Sequence, residues 1–225
     1  MMRSFGSRQD TACVDEPFYA AYLTAANLVH PMQEEILAAQ SSDPSEVAKN
    51  LSTANCPAPV QYQKQMTHHF LEDFPTDWMQ DIDHHVFLIR HPARVISSYS
   101  RKMDAVSLEA IGFPQLARIF DLVKHIKRTP PIVVDSDDIL ENPATLMSLL
   151  CKRLGIDWDR SMLAWTPGPK PEDGAWAPHW YDTVYKSTGF GPSPGPLPGV
   201  ARPHKSILDQ ALPIYQALRT NRLKG

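Results

Sequence analysis

Phe87-Leu88-Ile89-Arg90-His91-Pro92-Ala93-Arg94-Val95-Ile96-Ser97-Ser98-Tyr99 reads as a buried strand that runs straight into a helix. Val86 to Ile89 is a short apolar run suited to a strand covered on both faces, and Pro92 fits the first helical turn, where its missing N–H costs nothing. Arg90 then stands at the carboxyl end of the strand. Free backbone donors at the start of the helix and the forked guanidinium of Arg90 are expected to point at one spot, which suits a phosphate or sulfate. Arg94, Ser98 and Arg101 share one helix face at i, i+4 and i+7, while Val95, Tyr99 and Met103 mark an apolar neighbour. The plain alternative is a solvated helix face beside an ion-paired strand end.

The rest of the chain supplies the surroundings of that corner. Thr11 to Asp15, Val60 to Met66 and Ile132 to Asp135 read as three more strands. Between the strands the pattern predicts helices over Phe18 to Val29, Pro44 to Leu51, Phe70 to Ile82 (split at Pro75) and Phe113 to Lys127. A helix opened by Asn142-Pro143 and stopped by Gly155 follows. Alternation of this kind predicts an α/β fold with a doubly wound parallel sheet, helices on both faces, and ligands at the carboxyl ends of the strands. Nine of the 21 prolines fall between Pro167 and Pro203, and four of the five tryptophans between Trp158 and Trp180, so the tail is expected to be irregular before a last helix over Lys205 to Asn221. The expected organisation is one domain over 1–225: a core at 1–166, a Pro/Trp-rich segment at 167–203, and a terminal helical segment at 204–225.

Bulk properties narrow the function. With 225 residues, 43% hydrophobic content and a formal net charge of −3, the chain has enough apolar mass for a core and no overall charge for coating nucleic acid. No apolar stretch reads as a signal peptide or a membrane span, which predicts a soluble, cytoplasmic protein without a membrane partner. Cys13, Cys56 and Cys151 are far apart and odd in number, so neither a disulfide framework nor a zinc site is expected. His84, His85 and His91 lack ligand spacing, and the Asp135-Ser136-Asp137-Asp138 run reads as a turn and N-cap cluster, so no metal is expected.

Arginine at a strand end, proline two residues on and serine eight residues after the arginine resemble the 3′-phosphate element of sulfotransferases that use 3′-phosphoadenosine 5′-phosphosulfate (PAPS) as co-substrate. Asp15-Glu16-Pro17-Phe18-Tyr19, Thr67-His68-His69, Val133 to Asp138 and Trp176 to Phe190 extend the likeness to a bacterial sulfotransferase-like family of the P-loop class, over nearly the whole chain. The resemblance implies that Arg90 and Ser98 hold the 3′-phosphate, with Arg94 beside them and Lys186 as a further phosphate contact. It also implies a catalytic histidine and lysine near the second strand's end, here His68 and Lys64, with Glu16 as a rival base. In the family a five-stranded sheet of order 2-3-1-4-5 begins with a strand and a Ser/Gly-rich phosphosulfate loop. The four strands read here would be 2, 3, 4 and 5, with the central one absent. The leading expectation is sulfuryl transfer from PAPS to a hydroxyl or amine of a small-molecule acceptor. A truncated, non-catalytic nucleotide-binding remnant is the alternative. A P-loop kinase or hydrolase comes third, since no GxxxxGK[ST] occurs. The acceptor and the oligomeric state are not readable.

Overall fold

The computed structural model describes residues 1–53, 56–103 and 105–224. In chain order its elements are α1 (Met2–Gly6), β1 (Thr11–Asp15), α2 (Tyr19–Ala26), α3 (Gln33–Ala39), α4 (Pro44–Thr53) and β2 (Val60–Lys64). Then come β3 (Val86–Ile89), α5 (Pro92–Tyr99), α6 (Phe113–Lys127), β4 (Ile132–Asp135), α7 (Ser136–Glu141) and α8 (Pro143–Leu154). The chain ends through α9 (Ala177–Trp180), α10 (Asp182–Tyr185) and α11 (Lys205–Arg219). All four expected strands form at or within the residues where the apolar pattern placed them. The polar, Pro-rich flank expected after α4 includes Ala54 and Asn55, which lie outside the described residues.

The strands pair in twos. β1 runs parallel to β2, from Thr11 opposite Val60 to Asp15 opposite Lys64. β3 runs parallel to β4, from Val86 opposite Ile132 to Ile89 opposite Asp135. Among the described residues these are two separate two-stranded sheets, the pairs that the order 2-3-1-4-5 leaves when strand 1 is absent, and the single doubly wound sheet expected from the alternation is corrected to that extent. The chain correspondingly divides into two compact units, 1–82 with 159–190 and 83–158 with 191–225.

In the first unit the helices supply what two strands cannot, because an isolated strand pair buries too little to stand alone. Phe18, fully buried, meets Phe70, Phe74 and Trp78 at ring separations of 4.9, 6.1 and 5.7 Å. Tyr19, Ala20, Leu23, Ile36 and Trp176 form a second buried cluster. That aromatic packing explains one correction: Phe70 to Ile82 is not helical. Only the 3₁₀ turn Asp77–Gln80 forms there, following an earlier one at Thr67–His69, because Pro75 lacks an amide and disfavours helical angles at Phe74. The Phe18–Val29 helix is shorter than expected, beginning at Tyr19 and ending at Asn27 in the left-handed conformation (φ 49°). α3 was not legible, since Ile36 is its one fully buried anchor.

In the second unit β3 and β4 carry Phe87, Ile89, Val133 and Val134 into a core with Ile96, Phe120, Met147 and Leu150. Leu88 breaks the expectation of a strand covered on both faces, being 47% exposed. α8 has the expected ends: the Asn142 side chain accepts from the Thr145 amide, and Gly155 closes it at φ 68°. Asp135 likewise caps α7, accepting from the Asp137 amide at 3.0 Å. The same fully buried carboxylate anchors α11, through Tyr215 Oη at 2.6 Å and Arg219 Nε at 3.1 Å.

Candidate functional site

Two groups of candidate residues form, one in each unit. In the first unit β1 and β2 end side by side, with Asp15 opposite Lys64, so their terminal side chains share one edge. Lys64 Nζ donates to Asp15 Oδ1 at 3.1 Å, to Tyr181 Oη at 2.6 Å, and to Glu16 Oε1 in a close contact. Tyr181 Oη in turn donates to Asp15 Oδ2 at 2.6 Å, and the Gly174 amide adds a 3.2 Å bond to the same oxygen. A Cβ on residue 174 would sit 2.1 Å from the Trp176 ring, so this approach of the backbone needs glycine. The ammonium has three N–H donors and all three are engaged. Lys64 is therefore a partner of carboxylates, with none of its three donors left over.

Glu16 sits just past β1 with φ 42°, an unusual value for a residue with a side chain. Its backbone is held there from three directions. Its amide donates to the Lys64 carbonyl at 2.8 Å, and its own carbonyl accepts from the Tyr19 amide and Gln40 Nε2, both at 3.1 Å. Strain of this kind concentrates at functional sites, where surrounding bonds over-determine it. Burial holds the Glu16 carboxyl above its ordinary range, with Asp15 adding to the effect and Lys64 opposing it. Its second oxygen, Oε2, has no hydrogen-bond partner among the described residues. A carboxylate so placed can accept a proton.

His68 lies in the 3₁₀ turn after β2, its ring 4.5 Å from that of His69 and 5.7 Å from that of Tyr22. Burial, then the charges of His30 and Lys64, push its pKa down to about 4. The ring is thus neutral at physiological pH and a weak base. His69 is more deeply buried, stacked on Tyr19 and Tyr22 at 4.5 and 4.9 Å. Lys186 is exposed just beyond α10, with no partner among the described residues.

In the second unit the strand-to-helix corner is as expected in its backbone. The first-turn amides are not free, however. Pro92 has none, Ala93 donates to His91 Nδ1 at 3.2 Å, and Arg94 donates to the His91 carbonyl at 2.9 Å. His91, set aside as a metal ligand, is the N-cap of α5. Arg94 is also committed: Nε donates to Asp137 Oδ2 at 3.0 Å, Nη1 to the Pro194 carbonyl at 3.0 Å, and Nη2 to the Gly195 carbonyl at 2.6 Å. Arg90 and Ser98 differ. The Arg90 guanidinium is exposed and makes no hydrogen bond or close ion pair among the described residues, and neither does the half-buried Ser98 hydroxyl. Partial burial and the like charges of Arg94 and Arg101 lower the Arg90 pKa, while Asp137 opposes them. Arg101 lies past the end of α5, not on its face.

Sequence reasoning missed Asp15 and Tyr181. Asp15 could have been found as the second carboxylate of a strand-end pair. Nothing local marks Tyr181, which arrives from 166 residues away. No group of three or more His, Cys, Asp or Glu side chains among the described residues could hold a metal ion.

A profile described as a sulfotransferase domain matches residues 1–222. Two curated proteins of Arabidopsis thaliana, branched-chain-amino-acid aminotransferase-like proteins 2 and 1, are each 35% identical, over 97% and 98% of this chain. The chain spans 39% of the length of each. The solved sulfotransferase domain from the curacin biosynthetic pathway is similar at 13% identity and a TM-score of 0.44, covering 84% of this chain and 76% of its own. With the profile running from the first residue to within three of the last, the chain belongs to the sulfotransferase-domain family.

Proposed function

We propose that the chain transfers a sulfuryl group from PAPS to a hydroxyl or amine of a small molecule, releasing adenosine 3′,5′-bisphosphate. The observation that carries this reading is that, among the described residues, the Arg90 guanidinium at the end of β3 and the Ser98 hydroxyl on the helix that follows are unengaged. A forked cation and a hydroxyl suit the doubly charged 3′-phosphate. With Arg94 tied to Asp137 and the tail, Arg90 remains available on this corner to bind it. In the first unit Lys186, exposed and without a partner among the described residues, is available to an anion of its own.

Transfer needs an in-line nucleophile and a base to take its proton. Glu16 is the better base of the two candidates, because burial raises its carboxyl above the ordinary range and its Oε2 has no partner among the described residues, whereas the His68 ring is depressed to about 4. Lys64 then orients Glu16 Oε1 and leaves Oε2 for the acceptor proton. The saturated Lys64 ammonium also favours a second reading, a chain that holds the nucleotide without transferring from it.

Isothermal titration with adenosine 3′,5′-bisphosphate tests the site. Charge-assisted hydrogen bonds contribute about 1.5–3 kcal/mol, so Arg90→Ala should weaken binding at least roughly tenfold. Ser98→Ala should weaken it by about fivefold, for a bond of about 1 kcal/mol. Absence of binding, or binding indifferent to Arg90→Ala, refutes the proposal. Sulfuryl release from PAPS, lost in Glu16→Gln while nucleotide binding persists, separates transfer from mere holding.

A further inference from the structure

Tyr181 reaches the strand-end cluster of the first unit from a distant segment, and the choice of Glu16 as base gives it no part. Its backbone is fixed between α9 and α10, the amide donating to the Ala177 carbonyl at 2.8 Å and the carbonyl accepting from the Tyr185 amide at 2.7 Å. The direction of each side-chain bond follows from which groups can donate. An ammonium has no acceptor, so the phenol oxygen, 2.6 Å from Lys64 Nζ, accepts. Burial pushes the phenol's pKa up, with Lys64 opposing, so the hydroxyl keeps its proton. That one proton goes to Asp15 Oδ2 at 2.6 Å, the oxygen that the Gly174 amide also reaches.

These bonds close a loop. Lys64 Nζ donates to Asp15 Oδ1 and to Tyr181 Oη, and Tyr181 returns to the other oxygen of the same carboxylate. The ammonium also lies 5.0 Å from the centre of the Tyr181 ring. With two of its three N–H bonds spent inside the loop, tetrahedral geometry leaves one direction for the third, and that one ends on Glu16 Oε1. Without the phenol, Asp15 Oδ2 loses a donor and Lys64 regains one. The ammonium then turns a second N–H toward Asp15, whose buried carboxylate has lost a partner, and holds Glu16 less firmly.

We infer that Tyr181 is a positioning residue of the transfer: its hydroxyl pins the Lys64 ammonium against Glu16 Oε1 and so keeps Oε2 as the oxygen that meets the acceptor. The inference rests on the reading of Glu16 as the base. In that step the acceptor's O–H or N–H proton passes to Glu16 Oε2 while the acceptor's lone pair bonds to sulfur. The bond from sulfur to the bridging phosphate oxygen breaks, and its electron pair leaves with adenosine 3′,5′-bisphosphate. Tyr181 acts in this step only through Lys64.

Tyr181→Phe keeps the aromatic ring and removes both bonds. Burial raises the Glu16 carboxyl, Lys64 opposes it and Asp15 adds to it, so loosening Lys64 raises it further, and a base must first lose its proton. The acidic limb of the pH profile of kcat, for sulfuryl release from PAPS to water, should move up by about one pH unit, the size of one charge-assisted hydrogen bond. Affinity for adenosine 3′,5′-bisphosphate, read by calorimetry, should stay within about twofold. Asp15→Asn, a second variant, removes the competing carboxylate, so the limb should move down, and adding Tyr181→Phe should then shift it little. Carbon-13 NMR of the Glu16 carboxyl, assigned by its disappearance in Glu16→Gln, should follow the same shifts without turnover. If the unchanged chain releases no sulfuryl group, the proposed function falls, and this titration still decides whether Tyr181 governs Glu16. A limb and a carboxyl titration unmoved by Tyr181→Phe, a kcat lowered by one factor at every pH, or the same upward shift with Asp15→Asn present overturns the inference.

Discussion

Replacing Lys64 by methionine removes the cation that, among the described residues, touches two buried carboxylates, those of Asp15 and Glu16, whose side chains are 1% and 9% exposed. Removing one partner of a buried ion pair costs about 3–5 kcal/mol, because the other charge is left uncompensated. Lys64 keeps 26% of its side chain in solvent, which sets the expectation at the lower end, about 3 kcal/mol. That is a large share of a total stability of about 5–15 kcal/mol. The loss should depend on pH. Burial and Asp15 already hold the Glu16 carboxyl above its ordinary range, and without the ammonium it rises further. The folded variant then keeps a proton that the unfolded chain releases, so its stability is present at low pH and falls as pH rises through the folded pKa. Urea denaturation at pH 8 and pH 5 should show the full loss at the first and a clearly smaller one at the second. Adding Glu16→Gln should return most of the loss at pH 8. A destabilisation below about 1 kcal/mol, or one equal at both pH values, would refute the account of Lys64 as the compensating charge of this cluster.

Three further outcomes follow from other parts of the molecule. Tyr215→Phe removes the 2.6 Å bond to the fully buried Asp135 and should lower the melting temperature by roughly 3–10 °C, for about 1.5–3 kcal/mol lost; a fall under about 1 °C contradicts it. Arg94→Ala should cost about 2 kcal/mol in urea denaturation, and Arg94→Lys should recover less than half, because an ammonium cannot serve a carboxylate and successive carbonyls in one planar fork; full recovery by lysine contradicts it. The His68 ring, depressed to about 4, should show no proton NMR titration between pH 8 and pH 5.5. Its folded pKa lies below the unfolded value, so its effect on stability is a loss as pH falls from about 6.5 toward 4.

The strands were legible because apolar, β-branched runs such as Ile132 to Val134 can scarcely be anything else, and the capping of α8 because Asn-Pro and Gly are strong punctuation. Which strands pair was legible only through the resemblance, whose order 2-3-1-4-5 leaves β1-β2 and β3-β4 when strand 1 is absent. Local pattern specifies a strand and says nothing of which edge another strand fills. Phe70 to Ile82 has helical spacing, yet three of its aromatics pack on Phe18, and Pro75 tips the balance toward irregular turns. At the candidate site Glu16 and Lys64 could be named from their strand ends, whereas their mutual saturation depends on Tyr181, brought in by tertiary structure alone. Free amides at the start of α5 were expected from the general geometry of helix ends. The side chain one residue before Pro92 had already taken the Ala93 amide.

The hold of Arg94 on residues 194–196 runs through main-chain oxygens, so it is blind to what those residues carry as side chains. Over evolutionary time this strap is free to change its letters. Two things must persist: the guanidinium itself, and at position 195 a residue that tolerates the left-handed turn glycine makes there (φ 63°). Homologues should therefore vary at 194, 196 and 197 while keeping that pair together, and the loss of one should travel with the loss of the other.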